Sequence, residues 1–289
     1  MGERRAWAAT GVGVTAIAFA AIFFRETAPT SALVAAGWRL VLAAVLLSPL
    51  ALRAWRRGVL RGAMLRDAVV GGVFYALHFG AWVSSLHLTS VAASVSLVSA
   101  TPVLLAAIAA GTGRDRASGG QLAASALATL GALLIGGSDL GANDALVGDA
   151  LALGGAAAMA GYLLTVRRHG ARLPPLAFGA MACAVGGVLL LGTALASGLS
   201  LAPASPRAGL FIVLSALVPQ IVGHGALTWA LRRLSPTAVG LATAGEPVGA
   251  TFLAWAFLRE LPALTTLAGC GIILGAVALS ARARPRDAA

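Results

Sequence analysis

Residues 76–115 read ALHFGAWVSSLHLTSVAASVSLVSATPVLLAAIAAGTGRD, and residues 244–260 read AGEPVGATFLAWAFLRE. At an offset of 145 residues, Pro102 falls on Pro247, Val103 on Val248, and Arg114-Asp115 on Arg259-Glu260. The same offset pairs Gly80 with Gly225, Ala81 with Ala226, Leu86 with Leu231 and Ser90 with Ser235. Matches that keep one offset over so long a stretch mark the chain as a duplication.

Outward from these segments the chain breaks into ten apolar runs, at about 7–24, 31–54, 68–88, 90–110, 121–137, 148–167, 176–196, 208–231, 235–258 and 263–281. Each is long enough to cross a hydrocarbon core of ~30 Å as a helix. The expected fold class is therefore an all-α polytopic membrane protein of ten transmembrane helices. The two repeats are expected at residues 1–140 and 141–289, five helices each. Because five is odd, the second copy must enter the membrane upside down, which gives two inverted repeats.

Composition agrees with lipid as the solvent. The apolar set is 59% of the chain and the charged set only 11%, too little polar surface to cover a water-soluble fold of 289 residues. All 21 basic residues are arginine. Without lysine there is no Walker lysine for a P-loop and no Schiff-base lysine. The net charge of +11 does not build one basic face, because the arginines flank apolar runs, so nucleic acid is not an expected partner. With the N-terminus cytoplasmic, 17 of the 21 arginines lie on the cytoplasmic side, Arg25, Arg207 and Arg259 lie outside, and Arg39 lies within a span. That count orients both termini to the cytoplasm and Asp139 and Asp144 outward. The first run follows Arg4-Arg5 but is longer than the apolar core of a signal peptide, and reads as the first span. The alanine and arginine bias without lysine suggests a GC-rich bacterial genome, hence a bacterial inner (plasma) membrane.

Ionisable groups at membrane depth are costly, which makes Arg39 and Glu246 candidates for a gate, an ion pair or a carboxylate site. A buried structural ion pair is the plainer reading of the same two residues. Tyr75, His78, Trp82 and Ser85 share one face of span three, and Gln220, His224 and Thr228 share one face of span eight. Facing stripes of this kind suit a substrate cavity, and helix–helix hydrogen bonding is the alternative. Pro102, Pro219 and Pro247 each remove a backbone donor inside a span, freeing the carbonyls of Val98, Ser215 and Thr243. Ser99, Thr101 and Thr243 beside these prolines complete the candidate cavity with Tyr75, His78, Trp82, Pro102, Gln220, His224 and Glu246. Trp7 and Trp55, at span ends, read as interfacial anchors. Cys183 and Cys270 read as packing residues, and no metal or cofactor is expected. Gly271-x-x-x-Gly275 reads as intramolecular packing in a monomer, with a homodimer face as the other use.

Residues 76–115 resemble the third and fourth spans of EamA-type members of the drug/metabolite transporter superfamily, and residues 244–260 resemble their ninth. The resemblance covers essentially the whole chain. It implies ten helices in two inverted repeats and export of small metabolites, among them amino acids, with YddG-type aromatic amino-acid exporters as the branch favoured. Cationic drugs and other small metabolites are the alternative cargoes. A membrane-embedded enzyme is the reading from a different class; the intramembrane set lacks paired catalytic carboxylates, H-E-x-x-H and G-x-S-x-G.

Overall fold

A computed structural model describes residues 2–101, 104, 119–136, 143–168, 174–230, 233–234, 239 and 242–282. Their elements are all helical: α1 Gly2–Arg25, α2 Ala32–Arg56, α3 Ala63–Ser85, α4 Val91–Val98, α5 Gly119–Gly136, α6 Asn143–Arg167, α7 Pro175–Ala196, α8 Pro206–Ala230, α9 Glu246–Leu258 and α10 Leu264–Arg282. Six are long and apolar enough to span a membrane, namely α1, α2, α3, α6, α7 and α8. Within α5, α9 and α10 the apolar stretches are shorter, Ala126–Ile135, Glu246–Leu258 and Leu264–Leu279.

Local chemistry sets the helix ends. Ser90 Oγ accepts from the Ala93 N–H at 3.2 Å to start α4, and Ser205 Oγ accepts from the Ala208 N–H at 3.1 Å to start α8 ahead of Pro206. Gly58 and Gly198, with φ of 74° and 72°, follow the ends of α2 and α7. At Pro219 helix α8 widens to π form over Ala216–Gly223, which accommodates the missing N–H without ending the helix.

The two halves pack into each other more than within themselves. The most extensive pairings are α2 with α7, α3 with α6 and α5 with α10, each joining residues of the two halves. Exchanging every helix for its counterpart five places on reproduces the neighbours: α3 with α6 becomes α8 with α1, and α4 with α6 becomes α9 with α1. The pairs α2 with α7, α4 with α9 and α5 with α10 map onto themselves.

Contacts at the two ends show the direction of each half. Arg25, which closes α1, bonds the Thr89 carbonyl and Glu260, and Arg207 near the start of α8 bonds Glu26. Gly148 near the start of α6 lies against Leu88 and Thr89. At the opposite end Asp67 near the start of α3 faces Arg168, which follows α6, and Leu60 shares a cluster with Phe178. Hence α1 ends where α6 begins, α2 begins where α7 ends, and α3 ends where α8 begins. These equivalent helices run antiparallel. Among the described arginines, Arg53, Arg56, Arg57, Arg61, Arg66 and Arg168 gather at the Asp67 end, and Arg25, Arg207 and Arg259 at the other.

Glycine allows the close crossings between halves. A Cβ on Gly131 would lie 2.8 Å from the Gly269 carbonyl, and one on Gly269 would lie 2.5 Å from the Gly131 carbonyl, at the α5–α10 crossing. At the α2–α7 crossing Gly37 and Gly187 meet in the same way, a Gly187 Cβ falling 3.1 Å from the Gly37 carbonyl. The expectation that Gly271 and Gly275 pack inside the bundle is corrected, for both are exposed and a Cβ on either would meet nothing within 4 Å. The seam of α10 runs through Gly269, two residues off, because Ile273 rather than Gly271 turns toward α5.

Gly131→Val and Gly269→Val should each destabilise by about 1 to 3 kcal/mol through overpacking against backbone. Gly271→Val should be silent. Thermal unfolding of the detergent-solubilised protein checks this, and equal behaviour of all three variants would show that the seam lies elsewhere.

Candidate functional site

The centre of the bundle is organised by a charge. Arg39 of α2 is 1% exposed and stacks between two rings, its Cζ 4.7 Å from the Phe79 centroid and 5.3 Å from that of Phe24. Its Nε and Nη2 both donate to Gln220 Oε1 of α8, at 3.3 and 2.9 Å. Its Nη1 has no acceptor among the described residues. The π turn at Pro219 carries Gln220 into this position, and the Gln220 amide reaches on to Cys183 Sγ of α7 at 3.8 Å.

Arg39 and Glu246 share no hydrogen bond or ion pair, so the expected direct pair is corrected. The carboxylate acts on the guanidinium only through space, together with Tyr75 and Cys183. Gln220, not Glu246, occupies the Nε–Nη2 edge of Arg39. Glu246 instead opens the first turn of α9, where unpaired backbone N–H groups favour a carboxylate.

The face of α3 forms a chain of rings. Tyr75 meets Tyr162 of α6 at 4.2 Å between centroids and Phe79 at 5.3 Å, His78 stacks on Trp82 at 5.8 Å, and Trp82 stands edge-on to Phe24 at 5.7 Å. The Tyr75 hydroxyl also engages Tyr162 and Gln220. His78 Nδ1 lies 2.9 Å from the Gly155 carbonyl, so the Nδ1–H tautomer donates there and leaves Nε2 as an acceptor. Trp82 Nε1–H is buried and has no acceptor among the described residues. Ser85 turns away from this group, donating to the Trp82 carbonyl and sharing a bond with Ser94 of α4 at 2.6 Å. Tyr75, His78 and Trp82 are each nearly covered by protein here. His224 is half-buried, within electrostatic reach of Arg39 and His78.

Two breaks flank the group. Helix α4 gives way to a turn at Ser99–Ala100, and a turn at Ala244–Gly245 precedes α9. These positions are 145 residues apart, and α4 packs against α9. Thr101 Oγ1 donates to the Val98 carbonyl at 2.9 Å and to Ala156 O at 3.3 Å. Thr243 lies just before the second turn. Pro102 lies outside the described residues. The expectation that Pro247 interrupts a helix from within is corrected, since it sits in the first turn of α9, where no intrahelical donor is lost.

A second charged group lies at the Arg25 end. Arg25 Nη2 pairs with Glu260 Oε1 at 2.5 Å, and Glu260 Oε2 accepts from the Val91 N–H at 3.2 Å. This ties the end of α1, the start of α4 and the chain after α9. Glu260 already stood out as a repeat marker, which was a signal of position but not of partner. Cys183, read as packing, and Tyr162, not singled out, also belong to the central group.

Residues 7–137 match the EamA-like transporter family, and residues 146–282 match it again. The chain belongs to the EamA-like transporter family. A crystal structure shares its fold at a TM-score of 0.70 and 21% identity, with 94% of this chain and 96% of that chain covered. No curated protein matches it. Membership in the EamA-like family, with its two-repeat topology, marks this chain as a multi-pass membrane protein of a transporter family rather than an enzyme family.

Replacing Gln220 by leucine should expose the dependence of the EamA-like bundle on the Arg39 bond. A hydrogen bond to a buried charge contributes about 1.5 to 3 kcal/mol. Gln220→Leu should lose that much stability in the wild-type background and much less in an Arg39→Met background, in a double-mutant cycle read by thermal unfolding. Additive losses would show that the two side chains act independently.

Proposed function

We propose that this chain is a secondary transporter that exports small metabolites by alternating access of its two halves about the Arg39 centre. Amino acids are the favoured cargo, aromatic ones above all. The observation that carries this reading is the pair of breaks at Ser99–Ala100 and Ala244–Gly245, at equivalent positions on packed helices of antiparallel halves. Broken helices near the middle of inverted repeats supply backbone groups to a ligand, and such breaks are tolerated in a membrane only where protein or water covers them.

In this proposal the protein crosses a bacterial inner membrane ten times as a monomer, with repeats at 1–140 and 141–289 and cytoplasmic termini. The arginine-rich Asp67 end then faces the cytoplasm and the Arg25 end faces outward. Tyr75, His78, Trp82, Ser99, Thr101, Pro102, Gln220, His224, Thr243 and Glu246 line the path. The unfilled donors Arg39 Nη1 and Trp82 Nε1 meet polar groups of the cargo, and the rings of α3 receive its aromatic side chain. With Gln220 holding the donor edge, the Glu246 carboxylate is left to bind an ammonium group or a proton.

Two measurements test the proposal. A cysteine placed at position 57 should resist impermeant thiol reagent applied to intact cells, while one at 207 should react; the reverse pattern would overturn the orientation. In proteoliposome counterflow, Trp82→Ala should raise the half-saturation for tryptophan and phenylalanine by a few-fold to tenfold, with alanine less affected, since an aromatic pair adds about 0.5 to 1.5 kcal/mol. Trp7→Ala, on an exposed side chain 41% accessible near the start of α1, is the control that should change neither. Unchanged aromatic counterflow in well-folded Trp82→Ala would remove the aromatic assignment.

A further inference from the structure

Away from the Arg39 centre, at the Arg25 end, the chain forms a half-open cavity of about 610 Å³, within the size range of small-molecule sites. Arg25, His87, Thr89, Thr251, Glu260 and Thr266 supply its polar lining. One cation and one anion face each other there, Arg25 on Glu260. The pair does not exhaust either partner. Arg25 Nε is buried without an acceptor among the described residues, so Glu260 takes only the Nη2 corner of a fork suited to two parallel bonds. Thr251 is 6% exposed, and its buried hydroxyl finds no oxygen or nitrogen partner among the described residues, lying near only the weakly bonding Cys270 thiol.

We propose that this cavity binds a zwitterionic small molecule whose oxyanion takes the Nε–Nη2 edge of Arg25 and whose ammonium takes Glu260, displacing their mutual pair. Charge complementarity selects the ligand. A zwitterion replaces one ion pair by two and leaves no charge stranded, whereas a ligand of single charge frees one of Arg25 or Glu260 and leaves the other without a counter-ion in a half-buried site. On the protein side the exchange gives up one pair, of side chains 28% and 29% exposed, and each of its charges gains a new counter-ion from the ligand. The Thr251 hydroxyl and the Arg25 Nε donor then gain the acceptors they lack.

The position of the pair gives binding a consequence. Arg25 belongs to the first family repeat and Glu260 to the second, and Glu260 also holds the first amide of α4. A zwitterion that separates them unties the two halves at this end. This second step rests on the transporter reading; the binding step does not. A free α-amino acid and the phosphoethanolamine headgroup of a lipid both present the required ammonium and oxyanion.

Titration calorimetry on the full chain in phosphatidylglycerol nanodiscs tests the site with L-phenylalanine, its cationic methyl ester and its anionic N-acetyl derivative. Phenylalanine should bind at least tenfold more tightly than either singly charged analogue. Arg25→Gln should weaken phenylalanine about tenfold and raise affinity for the methyl ester, while Glu260→Gln should do the same in favour of N-acetylphenylalanine. An Arg25→Glu/Glu260→Arg exchange, which restores the pair, should fold and bind phenylalanine if either single variant is lost to misfolding. Adding phosphatidylethanolamine to the discs separates the sources: competition assigns the headgroup, and undisturbed binding assigns the free amino acid. Equal affinity for all three probes, or variants without charge-selective change, would overturn the proposal even where counterflow is normal. Charge-selective binding without counterflow would instead leave the site standing and remove the transporter reading.

Discussion

Packing between the halves is the constraint on which the rest of the structure depends. Helices in lipid gain little from hiding apolar side chains from one another, so association relies on close van der Waals contact and on backbone approach at small residues. The Gly131–Gly269 and Gly37–Gly187 crossings supply that approach, and both join one half to the other. A half folded alone would leave these glycine faces without partners. Because the pairs α2–α7, α4–α9 and α5–α10 map onto themselves under exchange of the halves, each of these crossings is built from equivalent helices, one from each half.

At the middle of these crossings sits a guanidinium that no carboxylate among the described residues neutralises directly. Burying a charge in this way is expensive unless its hydrogen-bonding positions and its field are both answered. Gln220 answers two donors, and the faces of Phe24 and Phe79 answer part of the field. A glutamate at 220 would hold the cation more firmly and would also quench it. A neutral acceptor leaves the charge of Arg39 in place and its Nη1 donor without an acceptor among the described residues.

Much of the fold could be read from the sequence, because it is written in length, hydropathy and the repeat offset. The offset that paired Pro102 with Pro247 also pairs the turn at Ser99–Ala100 with that at Ala244–Gly245, so the position of the breaks was legible although their form was not. Local spacing placed Tyr75, His78 and Trp82 on one face, but not the neighbour they meet, since Gly155 and Tyr162 approach from a helix of the other half. The same limit explains the mistaken Arg39–Glu246 pair. Depth along a helix is readable from a sequence, but the rotation that turned Gln220 toward Arg39 comes from a π turn, which hydropathy does not report. Arg25 and Glu260 are 235 residues apart, and the repeat offset that marked Glu260 carried no information about its partner.

Repeat symmetry breaks down at the two ends. Glu260 does two things at once, pairing with Arg25 and accepting from the Val91 amide at the start of α4. At the repeat offset Glu260 corresponds to Asp115 and Val91 corresponds to Pro236. Proline has no N–H, so an acid in the equivalent place has no such amide to hold, whatever the backbone does there. Among the described residues the capped pair stands at the Arg25 end. Two halves that match in their helix pairings and in the position of their breaks therefore differ at this point in the backbone bond that a proline cannot make. Residue 91 can donate a backbone hydrogen bond and its counterpart, Pro236, cannot, so the bond that Glu260 makes to the start of α4 has no equivalent in the second copy of that position.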